Sequence, residues 1–536
     1  MPETVDQHLQ NAVASLQKGD AAAAERALGL AGQAQPGHPD VLHLLGLVRH
    51  RQGRTAEAVG LVRQAVDATP GLLPYLVNLV ALQFETGDAD GACRTLEDAA
   101  ARNPENADIY FQLGRVRLSM GDGDGALEAL GRAMELAPDA PRPYGALGIL
   151  YQQAGDFDAA RAAYETAIEL GTTDADDFFN LGTLLMNARD WPGALVNFAR
   201  AAEITPEYQR AHANIGLIFS RNADYANAIA PLKRAVALNP DDGRSVNELI
   251  YALGATGDPV DGAELGLKYL KLHPEAFELY TQVGFAWMRA GRPEKAIEAA
   301  NLGLRAKRHP TPFLAIKAAA LNELGRRDAA AALLDFDRFL ATKAQSAPDG
   351  YADIAAFNRD LVDYLLAHPS LEYSANNRSM EKGRGTLELF DGDETGPAQV
   401  LKSMILDMAD DYLTARPADA AHPFLARRPN AFEVNCWGNV YDRDGRQLVH
   451  YHPTAYLSGV YYPSLPADMD PDEGGIEFGR AFHMFQSKDE PPVRIIRPRE
   501  GMMVMFPSYF GHQTIPVTSS DQPRISFAFD LVPEGL

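Results

Sequence analysis

Cysteine is nearly absent from this chain, with only Cys93 and Cys436 among 536 residues. Two thiols so far apart in the sequence cannot build the disulfide framework that stabilises small secreted domains, and they form no CxxC pair. Their scarcity also argues against a structural zinc site, which commonly has four closed ligands including cysteine. It fits a reducing compartment, and we expect a cytoplasmic protein.

The chain also lacks long apolar runs and an excess of basic residues. No stretch reaches roughly 18 consecutive apolar residues, and the first residues are neither basic nor apolar, so we expect no membrane span and no secretion signal. Acidic residues number 72 and basic residues 49, which gives a formal net charge of −23. Because phosphate groups are bound by clustered positive charge, nucleic acid and anionic membranes are disfavoured as partners.

An internal repeat of 34 residues occupies the first two thirds of the chain. A glycine series precedes an alanine series in each unit, and a proline closes most units. Small residues let two antiparallel helices approach closely, and proline ends the second helix before the next unit begins. The alanine series comprises Ala24, Ala58, Ala92, Ala126, Ala160, Ala194, Ala228, Ala296 and Ala330, with Gly262 in phase.

This pattern resembles the tetratricopeptide repeat (TPR) family, whose helix pairs stack into a superhelix. We predict an array of about ten units over residues 1–340, with degenerate units at 243–276 and 311–340. The resemblance implies that the first helices line a concave groove for protein–protein interaction, in which a protein or peptide binds. The unit at 141–174 shows the pattern well, with Tyr144, Leu147, Gly148, Tyr151, Ala160, Tyr164 and Ala167, and we assign such residues to the interhelical core.

The repeat phase is lost after Phe339, and residues 341–350 are predicted to connect the array to a second domain over residues 351–536. Helical patterns return at about 351–367 and 397–415. Beyond residue 430, roughly eight short runs rich in Val, Tyr, Phe and Ile indicate strands, which favours a double-sheet jelly roll. Residues 442–445 are predicted to form a tight hairpin turn between the first two of these strands. The predicted fold class is multidomain α + β, with an all-α superhelix followed by a double-stranded β-helix (jelly roll) and supporting helices.

Three histidines near the carboxyl end have the spacing of metal ligands. His450 and His452 flank Tyr451, and His512 follows 60 residues after the second of them. A pair of histidines one residue apart can place two ligands on one side of a metal where the chain leaves a strand. A distant third histidine completes one face, and the other positions stay open for substrate and oxygen.

The order of motifs around these histidines resembles the iron(II)- and 2-oxoglutarate-dependent dioxygenases. The strongest likeness is to a bacterial subgroup that carries His-x-His-Pro followed by Leu-Ser-Gly-Val-Tyr-Tyr. Residues 450–453 read His-Tyr-His-Pro, and residues 457–462 read Leu-Ser-Gly-Val-Tyr-Tyr. The resemblance covers roughly residues 430–535, with helical support from about residue 350.

The resemblance implies a role for each matching residue. His450 and His512 would be catalytic iron ligands, and Arg524 would pair with the distal carboxylate of 2-oxoglutarate, because a guanidinium fork matches a carboxylate. Ser526 faces the same side of the strand and can donate to that carboxylate, and Tyr462 is a further candidate for this role. The implied cofactor is Fe(II), with 2-oxoglutarate and O2 as co-substrates; succinate and carbon dioxide are released as a C–H bond is hydroxylated.

One position departs from the pattern of that family, which usually has two histidines and one carboxylate on the iron. Where an Asp or Glu is usual, this chain has His452, which we predict to be the third ligand. The alternative is a carboxylate from elsewhere in the domain, such as Glu477 or Asp442. An imidazole in place of a carboxylate leaves the iron site one unit more positive.

The joining of a repeat array to such a domain predicts a 2-oxoglutarate-dependent dioxygenase that hydroxylates a protein or peptide recruited by the array. Two other functions stay open: a non-catalytic repeat scaffold whose degenerate barrel senses metal or keto acid, and a three-histidine iron dioxygenase that does not use 2-oxoglutarate. A cupin is the rival fold, but it gives Arg524 no role. Trp437, Tyr441 and Phe478 are candidates for the pocket wall or for simple core packing.

Overall fold

The protein is described here by a computed structural model, which covers residues 4–306, 309–373, 380–390, 396–480 and 492–534. The chain divides into two compact units, Met1–Ile215 and Gly216–Leu536. Within the residues covered, no helix combines the length and the apolar character that crossing a membrane requires.

Helix pairs joined by short turns build the first unit and continue into the second. Within each unit, neighbouring helices contact each other. Each new pair along the chain begins one repeat period after the last. The predicted all-α repeat architecture is confirmed. The helices are α1 (Val5–Gln17), α2 (Ala21–Ala34), α3 (Pro39–Arg51), α4 (Thr55–Ala68), α5 (Leu73–Glu85), α6 (Ala89–Arg102), α7 (Ala107–Ser119), α8 (Gly123–Leu136), α9 (Pro141–Ala154), α10 (Phe157–Glu169), α11 (Ala175–Asn187), α12 (Trp191–Ile204), α13 (Gln209–Arg221), α14 (Tyr225–Leu238), α15 (Gly243–Thr256), α16 (Pro259–Leu272), α17 (Phe277–Arg289), α18 (Pro293–Arg305), α19 (Thr311–Glu323) and α20 (Arg327–Leu333).

The recurring small residues lie where the two helices of a pair come closest. A Cβ atom added to Gly148 of α9 would lie 2.5 Å from the ring of Tyr164 in α10. The equivalent atom at Gly114 of α7 would lie 2.7 Å from Leu130 of α8. The alanines of the series from Ala24 to Ala330 are likewise fully or almost fully buried. The 34-residue period therefore marks the line of contact within each unit.

An aspartate N-cap is a second periodic feature, at the start of the second helix of most pairs. An aspartate at the N-cap accepts a hydrogen bond from the backbone N–H three residues later, which satisfies a donor that the helix itself leaves unpaired. Arg54 breaks the series at α4 and makes no such bond. The capping residues are Asp20, Asp88, Asp122, Asp156, Asp190 and Asp224.

The close contact at Gly148 predicts a strong dependence on residue size. We expect Gly148→Ala to destabilise the array by about 1–3 kcal/mol, because the added methyl group overlaps the Tyr164 ring. Gly131 of α8 is the matched control, since a Cβ atom there would meet nothing within 4 Å. Gly131→Ala should therefore stabilise by about 0.5–1 kcal/mol through its effect on the helix. Thermal unfolding followed by circular dichroism measures both; shifts of equal sign would contradict this interpretation.

The carboxyl-terminal part of the second unit consists of two antiparallel sheets and supporting helices, consistent with the predicted jelly roll. The larger sheet has the strand order β1-β8-β5-β10-β4-β3-β2, and the smaller has the order β7-β6-β9. The strands are β1 (Ala341–Ala344), β2 (Glu372–Tyr373), β3 (Met380–Gly385), β4 (Phe432–Gln447), β5 (Leu457–Ser464), β6 (Ile476–Phe478), β7 (Arg494–Ile496), β8 (Met502–Pro507), β9 (His512–Thr514) and β10 (Arg524–Pro533). The helices are α21 (Phe336–Phe339), α22 (Ile354–Leu366) and α23 (Pro397–Ala415), with a 3-10 turn at Leu425–Arg427.

The larger sheet has one face covered by helices and the other turned toward the smaller sheet. Helix α22 packs on β5 and α23 on β8, and Leu365 of α22 fills the space beside Gly438 of β4. On the opposite face, Phe506 of β8 contacts Phe478 of β6, with ring centroids 4.8 Å apart. Every second residue along β4, β5, β8 and β10 points toward this second face. Those residues therefore line the space between the two sheets.

Two local predictions differ from the structure. The hairpin predicted at residues 442–445 is wrong, because β4 runs through it and these residues form a bulge opposite Lys382 of β3. Asp444 adopts a φ of 63°, so the turn-like sequence is used for a bulge and not for a reversal of the chain. Residues 341–344, within the predicted connection, form the edge strand β1 paired with β8. Pairing with the sheet overrides the low strand propensity of Ala and Lys there.

Candidate metal centre and carboxylate pocket

The three predicted histidine ligands meet at one point between the two sheets. The ligand nitrogens of His450, His452 and His512 all lie within 4.8 Å of one another. His450 and His512 exchange backbone hydrogen bonds of 3.0 Å, which hold the loop after β4 against the start of β9. Two segments that are distant in sequence, the loop after β4 and the start of β9, thus bring the imidazoles together, within reach of a single metal ion.

Hydrogen bonds at Nδ1 determine which nitrogen each ring turns to the cluster. The Nδ1 atoms of His450 and His512 lie 2.8 and 2.9 Å from the carbonyl oxygen two residues earlier in the chain. His452 Nδ1 lies 2.9 Å from Oδ2 of Asp530. Since carbonyl and carboxylate oxygens can only accept, each Nδ1 carries the proton and donates it. The three Nε2 lone pairs remain available for a metal.

Burial favours the neutral, metal-binding form of two of these rings. Burial, with a further contribution from His452, lowers the pKa of His450 to about 4. Burial also holds the pKa of His512 well below its usual range, and the two neighbouring imidazoles act in the same direction. Neither ring needs to lose a proton at neutral pH before it binds a metal.

Arg524 lies at the start of β10 as a buried cation. Its side chain is 3% exposed, and its Cζ lies 5.2 Å from the ring centroids of both Tyr441 and Tyr462. Among the described residues, Nε and Nη1 of this guanidinium and the Tyr462 hydroxyl have no hydrogen-bond partner of good geometry. The guanidinium still lowers the pKa of that hydroxyl against the larger, opposing effect of burial. A buried charge without a partner is costly, so these groups fit an anionic ligand.

Ser526 continues the same face of β10. It is 2% exposed and lies directly opposite Asn439 of β4, just as Arg524 lies opposite Tyr441. Asn439 Oδ1 is a further buried polar atom without a partner among the described residues. Arg524 and Ser526 therefore lie on the same inner face of the larger sheet, where both can donate to a carboxylate.

The alternative carboxylates lie away from the histidines. Glu477 accepts from Gln513 Nε2 at 2.8 Å and forms an ion pair with Arg480. It alternates along β6 with Phe478, which lies opposite His512, so Glu477 points to the other face of the smaller sheet. Asp442 lies in the bulge of β4. In the described part of the chain, the metal-binding group consists of the three histidines without a carboxylate.

The aromatic candidates for the pocket wall each contact a site residue. The Trp437 ring stacks on His452 with centroids 5.7 Å apart, and Tyr441 lies beside Arg524. Phe478 is fully buried and lies 5.9 Å from the His512 ring, so it serves both the core and the wall.

Sequence reasoning missed the groups behind His452, namely Asp530, Ser458 and Ser508. Arg524, Ser526 and Asp530 are separated by even numbers of residues along β10. Strand alternation alone could therefore have placed Asp530 on the inner face with the other two. Ser458 lies in β5 directly opposite Asp530. Their partnership depends on strand register, which the sequence does not reveal.

The last helix pairs hold the segment that carries two of the histidines. His309 Nε2 and Thr311 Oγ1, at the start of α19, lie 2.7 and 2.8 Å from the carbonyl oxygen of Ala455. Phe285 of α17 packs near Tyr451, with ring centroids 6.3 Å apart. The repeat helices of the second unit therefore take part directly in placing the site.

This anchor predicts a pH dependence of stability. Burial lowers the pKa of His309 to about 4, from the ordinary value of 6.5. The unfolded chain gains a proton near pH 6.5 but the folded chain does not, so the stability due to the neutral ring is complete above that pH and is lost as the pH falls toward 4. His309→Gln keeps an N–H donor but does not titrate. Between about pH 7.5 and 5, the wild-type protein should lose about 2 kcal/mol more stability than the variant.

Denaturant unfolding of the metal-free proteins at the two pH values measures this difference. Burial also lowers the pKa of His43, His422, His450 and His512, but these four titrate in both proteins, so their contribution cancels in the comparison. Equal losses in the two proteins would show that His309 does not titrate as its burial requires.

Two family models match separate parts of the chain. Residues 435–530 match the model described as "Putative 2OG-Fe(II) oxygenase". Residues 4–249 match the model described as "Cilia and flagella-associated protein 70 C-terminal domain". The first match includes the three histidines, Arg524, Ser526 and Asp530. The second match lies within the helix pairs. A region near the carboxyl end thus matches an oxygenase family model, and the region before it is TPR-like, as the sequence resemblance predicted.

The solved structures similar to parts of the chain include proteins described as TPR proteins. A TPR protein from Parabacteroides merdae ATCC 43184 is 18% identical, with a TM-score of 0.36, over 46% of this chain and 98% of that one. YrrB, described as a TPR protein with an unusual peptide-binding site, is 19% identical, with a TM-score of 0.28, over 34% and 95%. The APC/C hetero-tetramer Cut9-Hcn1 is 17% identical, with a TM-score of 0.36, over 47% of this chain and only 50% of that one. The search of curated proteins finds no match.

Proposed function

We propose that this chain is an iron(II)- and 2-oxoglutarate-dependent dioxygenase that hydroxylates a protein or peptide recruited by the repeat array. The observation that carries the proposal is a cluster of three imidazoles in the same domain as a buried guanidinium, two of whose nitrogens have no acceptor among the described residues. A metal site alone would not require the guanidinium, and a carboxylate site alone would not require the three imidazoles. The family match at residues 435–530 supports the same function.

The donor set fits iron(II). Imidazole is a good ligand for divalent iron, and His450, His452 and His512 would hold the ion through their Nε2 atoms. Three protein ligands leave further positions for a chelating co-substrate and for oxygen. The hydrogen bonds at Nδ1 keep each ring oriented, so that little reorganisation accompanies binding.

The pocket around Arg524 fits the distal carboxylate of 2-oxoglutarate. The unpartnered Nε and Nη1 atoms of Arg524 would donate to the carboxylate, with the Tyr462 hydroxyl and Ser526 as further donors. Tyr441 and Tyr462 flank the guanidinium and exclude water from it, which strengthens its interaction with an anion. When bound, iron and 2-oxoglutarate supply the oxidising chemistry, in which O2 is consumed and succinate, carbon dioxide and a hydroxylated product are formed.

The repeat array offers an apolar surface that fits an extended or helical peptide. A groove of about 340 Å³ lies on α5 and α7, lined by Val77, Val80, Phe84 and Arg115. Val77 and Phe84 are 39% and 36% exposed, so two apolar side chains of the groove are open to solvent. Binding there would raise the concentration of substrate near the catalytic domain.

Cys93 and Cys436 are free, and we place the protein in the reducing cytoplasm.

Turnover by the full-length protein tests this function. With Fe(II), 2-oxoglutarate, O2 and a peptide panel, we expect release of succinate and the addition of one oxygen atom to a panel member. Binding of Fe(II) and 2-oxoglutarate without any succinate would favour the scaffold that senses metal or keto acid. Oxygen uptake that does not depend on 2-oxoglutarate would favour the three-histidine dioxygenase.

A further inference from the structure

Three imidazoles bring no negative charge to a divalent metal, whereas a set of two histidines and one carboxylate brings one. The structure contains a carboxylate immediately behind one of the three rings. Asp530 Oδ2 lies 2.9 Å from His452 Nδ1, on the side of the ring away from Nε2. Asp530 is 7% exposed and lies on the inner face of β10.

We propose that Asp530 is a positioning residue that acts on the metal through His452, fixing the orientation of the ring and supplying the negative charge that the ligands lack. This inference rests on the proposed function, since it concerns the same metal centre. It assigns to this chain a carboxylate–histidine–metal relay in place of a direct carboxylate ligand.

The carboxylate is held by donors on both oxygens. Ser458 Oγ lies 2.6 Å from Asp530 Oδ1 and 2.8 Å from Ser508 Oγ. A hydroxyl donates one proton and a carboxylate only accepts, so Ser458 donates to Asp530 and accepts from Ser508. The carbonyl oxygen of Ser508 in turn accepts from the backbone N–H of His452 at 3.1 Å. The hydrogen bonds form a closed ring that begins and ends at His452, and each member is buried or half-buried.

His452 differs from the other two predicted ligands in the group that accepts a hydrogen bond from its Nδ1 atom. The Nδ1–H groups of His450 and His512 donate to backbone carbonyls, which are neutral dipoles. Only His452 among the three donates to a side-chain carboxylate. His452 is also the residue that occupies the position where the related oxygenases usually have an acidic ligand. In this chain the negative charge therefore lies on the group behind the ligand.

A carboxylate behind a ligating imidazole raises the basicity of the ring and prevents it from turning. Removal of the charge should therefore weaken metal binding without removing a ligand. We expect Asp530→Asn to lower metal affinity by about 10- to 100-fold, the range found when such outer partners are lost. Asn has nearly the same shape as Asp, so the cavity and most of the packing stay unchanged.

The test uses Co(II), an air-stable probe of the iron site, bound to the full-length protein and followed by calorimetry and visible absorption. Asp530→Asn should bind about 10- to 100-fold more weakly and shift the ligand-field bands, because His452 becomes a weaker donor. A merely structural role for Asp530 would leave the bands of the bound fraction unchanged. Asp521→Asn is the matched control, since Asp521 lies just before β10 in an exposed pair with Arg443, and it should bind as wild type does.

Ser458→Ala provides a second, milder variant in case Asp530→Asn does not fold. It keeps the charge but removes a donor that orients the carboxylate, so metal affinity should fall severalfold while the bands shift less. Wild-type affinity together with wild-type bands in Asp530→Asn, or in Ser458→Ala if only that variant folds, would overturn the inference while leaving the metal centre intact. Failure of the wild-type protein to bind Co(II) at all would instead overturn the proposed function.

Discussion

His512→Ala is expected to lower the affinity for Fe(II) by more than about 100-fold and to eliminate succinate formation. Loss of a group that merely supports a ligand costs about 10- to 100-fold, so loss of the ligand itself should cost more. His512 is also the only member of the cluster contributed by β9, and the remaining pair, His450 and His452, comes from a single loop. Two ligands from one loop cannot enclose the ion.

His368→Ala is the control for this experiment. His368 lies in the same domain and is half-buried, but its Nδ1 pairs with the Ser370 hydroxyl, outside the cluster. It should leave metal binding and turnover unchanged. Unfolding of both variants without metal separates loss of the site from loss of the fold. Turnover that persists in His512→Ala would show that the metal lies elsewhere.

Arg524→Ala is expected to raise the 2-oxoglutarate concentration needed for half-maximal turnover by about 100-fold, with metal affinity unchanged. Two charge-assisted hydrogen bonds to a buried carboxylate contribute about 3 kcal/mol, which is about 100-fold in affinity. Arg524→Lys should recover only part of the loss, because an ammonium group cannot match both carboxylate oxygens. Steady-state kinetics with varied 2-oxoglutarate measures the change.

The stability of Arg524→Ala is a second part of this prediction. Without co-substrate the guanidinium is a buried charge whose Nε and Nη1 atoms have no acceptor in the described part of the chain, so its removal should not destabilise the free protein. A large drop in stability would mean that Arg524 has a structural partner instead of a ligand. Oxygen uptake indifferent both to 2-oxoglutarate and to this substitution would support the three-histidine dioxygenase that uses no co-substrate.

The array could be predicted from sequence because each unit repeats the same short-range contacts. Gly148 and Tyr164 lie 16 positions apart, and the same spacing joins Gly114 to Leu130 and Gly182 to Phe198. Such contacts are local, so their residues remain in fixed phase along the chain. The N-cap aspartates followed the same period and were available to the same reasoning.

The β domain could be predicted only in outline, because its contacts join residues far apart in sequence. The motif order gave His450, His452 and His512 together with Arg524, whereas the register between β5 and β10 that brings Ser458 to Asp530 left no mark in the sequence. Strand β1 was missed for the same reason, since Ala341–Ala344 is extended only through its pairing with β8. The turn-like residues at 442–445 could serve either a hairpin or a bulge, and only the sheet decides between them.

The contacts of His309 and Thr311 with Ala455 mean that the site is completed by the last repeat helices and not by the β domain alone. The array therefore has a structural role at the metal centre in addition to its proposed recruitment of substrate. Tests of the site should accordingly use the full-length protein.

An anaerobic titration with Fe(II) and then 2-oxoglutarate tests the central claim most directly, namely that the three imidazoles and Arg524 serve one reaction centre. We predict a weak visible charge-transfer band that appears only when both are present and saturates at one equivalent per chain. The band should be absent in His512→Ala and should require much more 2-oxoglutarate in Arg524→Ala. Binding of Fe(II) without any band on addition of 2-oxoglutarate, or a band of equal strength and equal 2-oxoglutarate dependence in Arg524→Ala, would contradict the account.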